Sequence, residues 1–142
     1  MVAYSFQQMF RAPILAGTKR QTIRPDRKGC SRHAHPGDVM QLYTGMRTKY
    51  CRKIGDAICE SVQSIRIQIS TYCLIQAPGL SLISAPANLD KFARSDGFED
   101  WAAMRAFWEK HHPGISVFSG NLIRWTGFKT AHTPETDAAE EG

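Results

Sequence analysis

The 142-residue chain has no paired cysteines in a C-x-x-C arrangement, no G-x-G-x-x-G loop and no long apolar run. Each absence excludes a class. Four scattered cysteines (Cys30, Cys51, Cys59, Cys73) do not make a disulfide framework, and a chain of this length buries enough surface to fold with its thiols reduced. Without the glycine fingerprint there is no case for a dinucleotide-binding unit. The uncharged stretch 67–89 is broken by Pro78, Gly79, Pro86 and many polar residues, so it is not a membrane span. No basic, then apolar, secretory leader opens the sequence, and the cytoplasm is the expected compartment.

Acidic residues are also scarce over much of the chain. The net charge is +5, but Glu135, Asp137, Glu140 and Glu141 lie in the last eight residues. With those four of the thirteen acids set aside, eighteen basic residues face nine acidic ones over 1–134, a net of +9. Between positions 11 and 53 eleven Lys or Arg stand against only Asp26 and Asp38. That concentration is the electrostatic footprint of a surface that meets phosphates. With 42% hydrophobic and 10% aromatic residues the chain is globular.

The pattern predicts one α+β domain over 1–129 and an acidic, disordered tail over 130–142. A strand is expected at 4–9, a short helix at 10–16 bounded by Pro13 and Gly17, and a short strand at 20–24 stopped by Pro25. His35-Pro36-Gly37-Asp38 has the residues of a type II turn and leads into a strand at 39–43. Alternation through Val62, Ile65, Ile67 and Ile69 predicts a strand within 57–70. Shorter strands are expected at 71–75 and 80–83, and a helical turn at 88–93. Ser95 and Asp96 then read as caps of a longer helix over 97–110, whose face Phe98, Trp101, Met104, Arg105 and Trp108 packs on a sheet. A closing strand is expected at 117–125.

The segment Gly17-x-Lys19-x-x-Thr22-x-Arg24 delivers a lysine, a threonine and an arginine through a turn into one short strand. With Pro36-Gly37-Asp38-Val39, Asp90-Lys91-Phe92-Ala93-x-x-Asp96-Gly97-Phe98 and Leu122-Ile123-Arg124-Trp125, it resembles the ASCH family, a branch of the PUA-like folds, over about residues 6–128. The resemblance implies a PUA-like mixed β-barrel with flanking helices. Small ASCH proteins include bacterial amidohydrolases that remove the acetyl group of N4-acetylcytidine with a Lys, a Thr and a Glu. The positions that match are Lys19, Thr22 and Asp96, the acid being one methylene shorter here.

Two functions are consistent with these residues. In the first, the domain binds RNA or a modified pyrimidine nucleoside in a basic cleft, through Arg20, Arg24, Arg27, Lys28, Arg32, Tyr43, Arg47, Lys49, Arg52 and Lys53. Tyr43 and Tyr50 lie among the last of these, where a tyrosine ring can stack on a base. In the second, the same cleft hydrolyses N4-acylcytidine, with Thr22 as nucleophile, Lys19 as base and Asp96 as orienting acid. Against both stands the plainer assignment of Thr22 to a strand, Lys19 to a phosphate contact and Asp96 to a helix cap. Cys30, His33 and His35 lack the paired spacing of a zinc site, so neither metal nor cofactor is expected.

Overall fold

The computed structural model describes residues 2–27, 32–69, 73–77 and 82–131. Six strands form one mixed sheet. The elements run β1 (Val2–Phe6), a 3₁₀ turn (Gln8–Phe10), α1 (Arg11–Ala16), β2 (Gln21–Arg24), β3 (Val39–Thr44), β4 (Arg52–Gln68), β5 (Leu74–Gln76), α2 (Pro86–Ser95), α3 (Trp101–His111) and β6 (Val117–Thr130). Strand order is β1-β3-β4-β6-β2, with β5 paired to the far end of β4. Only β1 and β3 run parallel. The long β4 and β6 form the spine, in register from Gly55↔Thr130 to Gln68↔Val117 with bulges near Ala57 and Glu60.

The strand pattern follows the residues. In β3 the burial alternates, with Met40, Leu42 and Thr44 inside, and the β-branched run of β4 buries Ile65 and Ile67 while Ser64 and Arg66 face out. The turn before β3 is the expected one: the Asp38 N–H donates to the His35 carbonyl at 2.9 Å, and Gly37 has φ of +94°. Ile54, Leu122, Ile123, Phe92, Met104 and Trp108 join the core between sheet and helices.

Several expectations need correction. The sheet is not closed into a barrel, because its two edge strands β1 and β2 share no ladder among the described residues. The Arg24 side chain bridges them instead, donating from Nη2 to the Ser5 carbonyl at 2.6 Å. The first strand ends at Phe6, and the apolar residues after it turn as a 3₁₀ helix. The spine strand begins at Arg52 and the last strand runs on to Thr130. Of the short strands, the structure has Leu74–Gln76 and a single bridge from Ile75 to Ile83; residues 70–72 and 78–81 lie outside the described set, as does the chain beyond Ala131.

The helical region is divided differently as well. Two helices replace the helical turn and the longer helix, because Gly97 takes φ of +97° and breaks the path between them. The cap of α3 is Asp100, whose Oδ1 accepts the Ala103 N–H at 2.8 Å, while Asp90 accepts the Trp101 N–H at 3.0 Å. Neither Ser95 nor Asp96 opens α3; Ser95 is the last residue of α2 and Asp96 caps its C-terminal end, its N–H donating to the Phe92 and Ala93 carbonyls.

Gly55 is the tightest point of the spine, since a Cβ there would run into the Lys129 carbonyl and the Phe128 ring. Gly55→Ala should lower stability by about 2 kcal/mol in urea denaturation. Gly37→Ala, which meets no atom within 4 Å but keeps the positive φ, should cost about 1 kcal/mol.

Candidate functional site

The end of α1 sets the course of the next strand. Gly17 leaves the helix at φ of +82°, and the N–H groups of both Thr18 and Lys19 donate to the Pro13 carbonyl. The chain then enters β2, tied to the end of α2 where the Arg20 N–H donates to the Ser95 carbonyl at 2.9 Å. This aims the Lys19 side chain inward. Its Nζ donates to the Asp96 carbonyl at 2.5 Å and lies 3.7 Å from the Asp96 carboxylate. It sits 4.5 Å from the centre of the Phe10 ring and 5.6 Å from that of Phe6. Only 2% of Lys19 and 5% of Asp96 is exposed, so both ionisable groups are in the interior.

Gly97 makes this approach possible, because any Cβ there would come within 2.9 Å of the Lys19 side chain. Gln21, also buried, donates from Nε2 to Asp96 Oδ1 at 3.4 Å. Thr22 and Arg24 follow on the other face of β2. The Thr22 hydroxyl oxygen accepts the Arg24 Nε–H at 3.0 Å, and the Arg24 guanidinium stacks 4.8 Å from the Phe6 ring centre.

Lys19, Thr22, Arg24 and Asp96 line one cavity of about 230 Å³ in the unclosed seam between β1 and β2. Much of the remaining wall is aromatic, with Ser5, Gln7, Ile23 and Pro25 completing it. Phe10 packs edge to face on Phe98 at 5.3 Å and on Phe107 at 5.5 Å, Phe98 and Phe107 are tilted against each other at 5.3 Å, and Trp108 leans on Phe118 at 4.7 Å. Burial shapes the titration of the polar groups. Desolvation lowers the Lys19 pKa from 10.5 to about 8, with the Asp96 charge opposing that fall and Arg24 adding to it. Desolvation likewise raises the Asp96 carboxyl, against the pull of Lys19, and lowers the Arg24 guanidinium.

The structure therefore brings Lys19, Thr22 and Asp96 to one cavity, with Arg24. The other basic residues are dispersed. Arg27 donates to the Ala3 carbonyl at 2.9 Å over the Tyr4 ring, and Arg32 pairs with Asp38 at 2.9 Å. Lys53 pairs with Asp56 at 2.9 Å, Tyr43 is half-buried, and Lys28 and Cys30 lie outside the described residues. Arg47, Lys49 and Arg52 are exposed around the β3–β4 connection, which reaches the cavity rim where the Met46 N–H donates to Ser5 Oγ at 3.3 Å. Arg20 is exposed and faces a different groove. His33 is bound between the Tyr4 hydroxyl (3.0 Å) and the Pro25 carbonyl (2.8 Å), and no cluster of three or more metal-ligating side chains occurs among the described residues.

Three features escaped the sequence reading. Gln21 reaches Asp96, a role that strand alternation alone does not reveal. The aromatic walls come from four separate elements and carry no local signature. The choice between the two tyrosines of the basic segment also had no local signal: Tyr43 is half-buried, whereas Tyr50 is 74% exposed with Lys49 Nζ 5.2 Å from its ring centre.

No family sequence model matches the chain, and no curated protein matches it in sequence. A solved structure does match: the crystal structure of ASCH from Zymomonas mobilis aligns with a TM-score of 0.50 over 90% of this chain and 68% of that one. The fold is that of an ASCH domain. Sequence identity is 12%, so the likeness is one of architecture. Within this ASCH fold no helix among the described residues is long and apolar enough to cross a membrane.

The Lys19 titration has a consequence for stability. Between pH 8 and 10.5 the unfolded chain holds a proton on Lys19 that the folded chain has released, so stability gains from this residue as pH rises. Urea denaturation from pH 7 to 9.5, below the raised Tyr4 pKa, should show the stability of the native chain rising relative to Lys19→Met. A difference independent of pH would contradict the assignment.

Proposed function

We propose that this chain binds a modified pyrimidine nucleoside, free or within RNA, with its base in the Lys19–Thr22–Asp96 cavity. The observation that carries the proposal is the convergence of Lys19, Thr22, Arg24 and Asp96 on one aromatic-walled space. A volume of about 230 Å³ is smaller than the roughly 300–1,000 Å³ of pockets for drug-sized ligands, and suits a base more than a whole nucleotide. Aromatic rings offer the base a stacking surface, while ammonium, guanidinium, hydroxyl and carboxylate groups offer donors and acceptors to its edge. Arg47, Lys49 and Arg52 supply phosphate contacts beside the rim, with Tyr50 as a stacking partner for a neighbouring base. Arg27 and Arg32 contribute less, being engaged within the protein.

A second reading, amide hydrolysis in the same cavity, is supported by the depressed Lys19 pKa of about 8 in a space that the buried Thr22 also lines. Neutral Lys19 removes the Thr22 proton as Oγ1 attacks the acyl carbon of an N4-acylcytidine. Collapse of the tetrahedral adduct breaks the carbon–nitrogen bond, and the proton passes from Lys19 to the departing exocyclic nitrogen. Water then cleaves the acyl-threonine, giving cytidine and a carboxylate. Arg24, donating to Thr22 Oγ1, favours the ionised oxygen. Asp96 positions Lys19 through its carbonyl.

Purified protein mixed with N4-acetylcytidine should bind it in calorimetry and release cytidine, at a rate rising through an apparent pKa near 8. Lys19→Ala and Thr22→Ala should each lower that rate by about 100-fold or more. Binding without release, even with stoichiometric protein, would remove the hydrolytic reading and leave the binding one. Neither binding nor release would overturn both.

A further inference from the structure

Gln21 is 1% exposed, and strand alternation turns its side chain away from the face of β2 that carries Thr22 and Arg24. A buried amide needs a partner, because an unpaired donor in the interior costs stability. The partner here is Asp96, whose Oδ1 accepts the Gln21 Nε2–H at 3.4 Å. The same oxygen lies 3.7 Å from Lys19 Nζ, while that ammonium gives its direct hydrogen bond to the Asp96 main-chain carbonyl at 2.5 Å. Gln21 therefore brings an uncharged donor to the carboxylate of the buried pair.

Such a pair can hold one proton in two ways. Ammonium beside carboxylate and amine beside carboxylic acid differ only in the side of the 3.7 Å gap on which the proton lies. In water the carboxyl is by far the stronger acid and the first arrangement prevails. Burial penalises both charges at once, lowering the lysine and raising the acid, so the two arrangements approach each other. Arg24 does not decide between them, since its charge lowers both partners. His112 lines the cavity beyond α3, and Arg20, Glu60 and Arg124 line the open depression on the other side of β2. The Gln21 amide differs from all of these in binding the acid and not the lysine, and with little water near it to screen the contact a hydrogen bond carries more weight.

We propose that Gln21 is a positioning residue that keeps the shared proton on Lys19, by holding Asp96 as the carboxylate through its Nε2–H. An apolar side chain of the same length, such as methionine, would fill the same space, so packing alone does not call for an amide. In the hydrolytic reading Lys19 carries the Thr22 proton to the departing nitrogen, and Gln21 prevents Asp96 from taking that proton on the way. This effect on rate rests on the hydrolytic reading; the placement of the proton rests on the geometry of the pair.

The test is NMR of the protein labelled with ¹³C in its aspartate carboxyls and ¹⁵N in its lysine side chains, the signals of the pair being assigned by their loss in Asp96→Asn and Lys19→Met. At pH 7 the native Asp96 Cγ should report a carboxylate and Lys19 Nζ an ammonium. In Gln21→Met both signals should move together at that same pH, Asp96 towards the acid and Lys19 towards the amine. The ratio of neutral to ionised pair should rise about tenfold, the weight of one hydrogen bond to a charged group. Gln21→Asn, whose shorter side chain withdraws the amide, should have the same effect, which guards against a folding defect in either variant. The rise of N4-acetylcytidine hydrolysis near pH 8 should shift to lower pH in Gln21→Met, whereas a merely structural loss would lower the rate without shifting it. Unmoved signals in both folded variants would overturn the role of Gln21 and leave the hydrolytic reading standing. Moved signals in a protein that releases no cytidine would support that role and overturn the hydrolytic reading.

Discussion

The buried ammonium of Lys19 is the constraint on which the rest of the site depends. An ion taken out of water costs several kcal/mol unless the protein replaces its hydration. Here the replacement is a main-chain carbonyl at the end of α2, a carboxylate and two phenyl faces. The end of a helix carries the negative pole of its dipole, so α2 must stop where it does for its last carbonyls to face the lysine. Gly97 then has to turn with a positive φ and without a side chain, for the methylenes of Lys19 occupy that space. One buried charge thus specifies a strand entry, a helix end and a glycine.

The aromatic residues around this charge have two roles at once. Phe10, Phe98 and Phe107 join the 3₁₀ turn, the α2–α3 connection and α3 into one cluster that anchors α3 over the sheet. The same rings exclude water from one side of Lys19, which is the cause of its depressed pKa. Packing and reactivity are therefore not separable here, and a loss of ring contact also restores the lysine towards its ordinary titration.

Much of this was legible in the residues. Period-two alternation located the spine strand, the Pro36-Gly37 pair located the turn into β3, and the Lys19, Thr22 and Asp96 positions drawn from the resemblance to the ASCH family lie on one cavity. The failures have physical causes. Asp96 has the chemistry of a helix cap, and only tertiary packing against Lys19 decides that it is buried and that Asp100 caps instead. A barrel was expected from the resemblance to the ASCH family, but closure depends on whether the edges meet, and Arg24 spans the place where a ladder would form. The charge count located a basic region without distinguishing arginines engaged within the fold, such as Arg27, from exposed ones such as Arg20, whose side chain has no partner among the described residues.

The placement of β2 at the edge of the sheet has a further bearing on how the site comes into being. Its only ladder partner among the described strands is β6, with Arg24 opposite Asn121, ninety-seven residues later. A segment of four residues has no independent stability as a strand. During synthesis the spine cannot complete until β6 emerges, and until then Thr22 has no surface to lie on. The cavity therefore depends on β6 being in place, and a growing chain exposes its basic segments before it possesses a site.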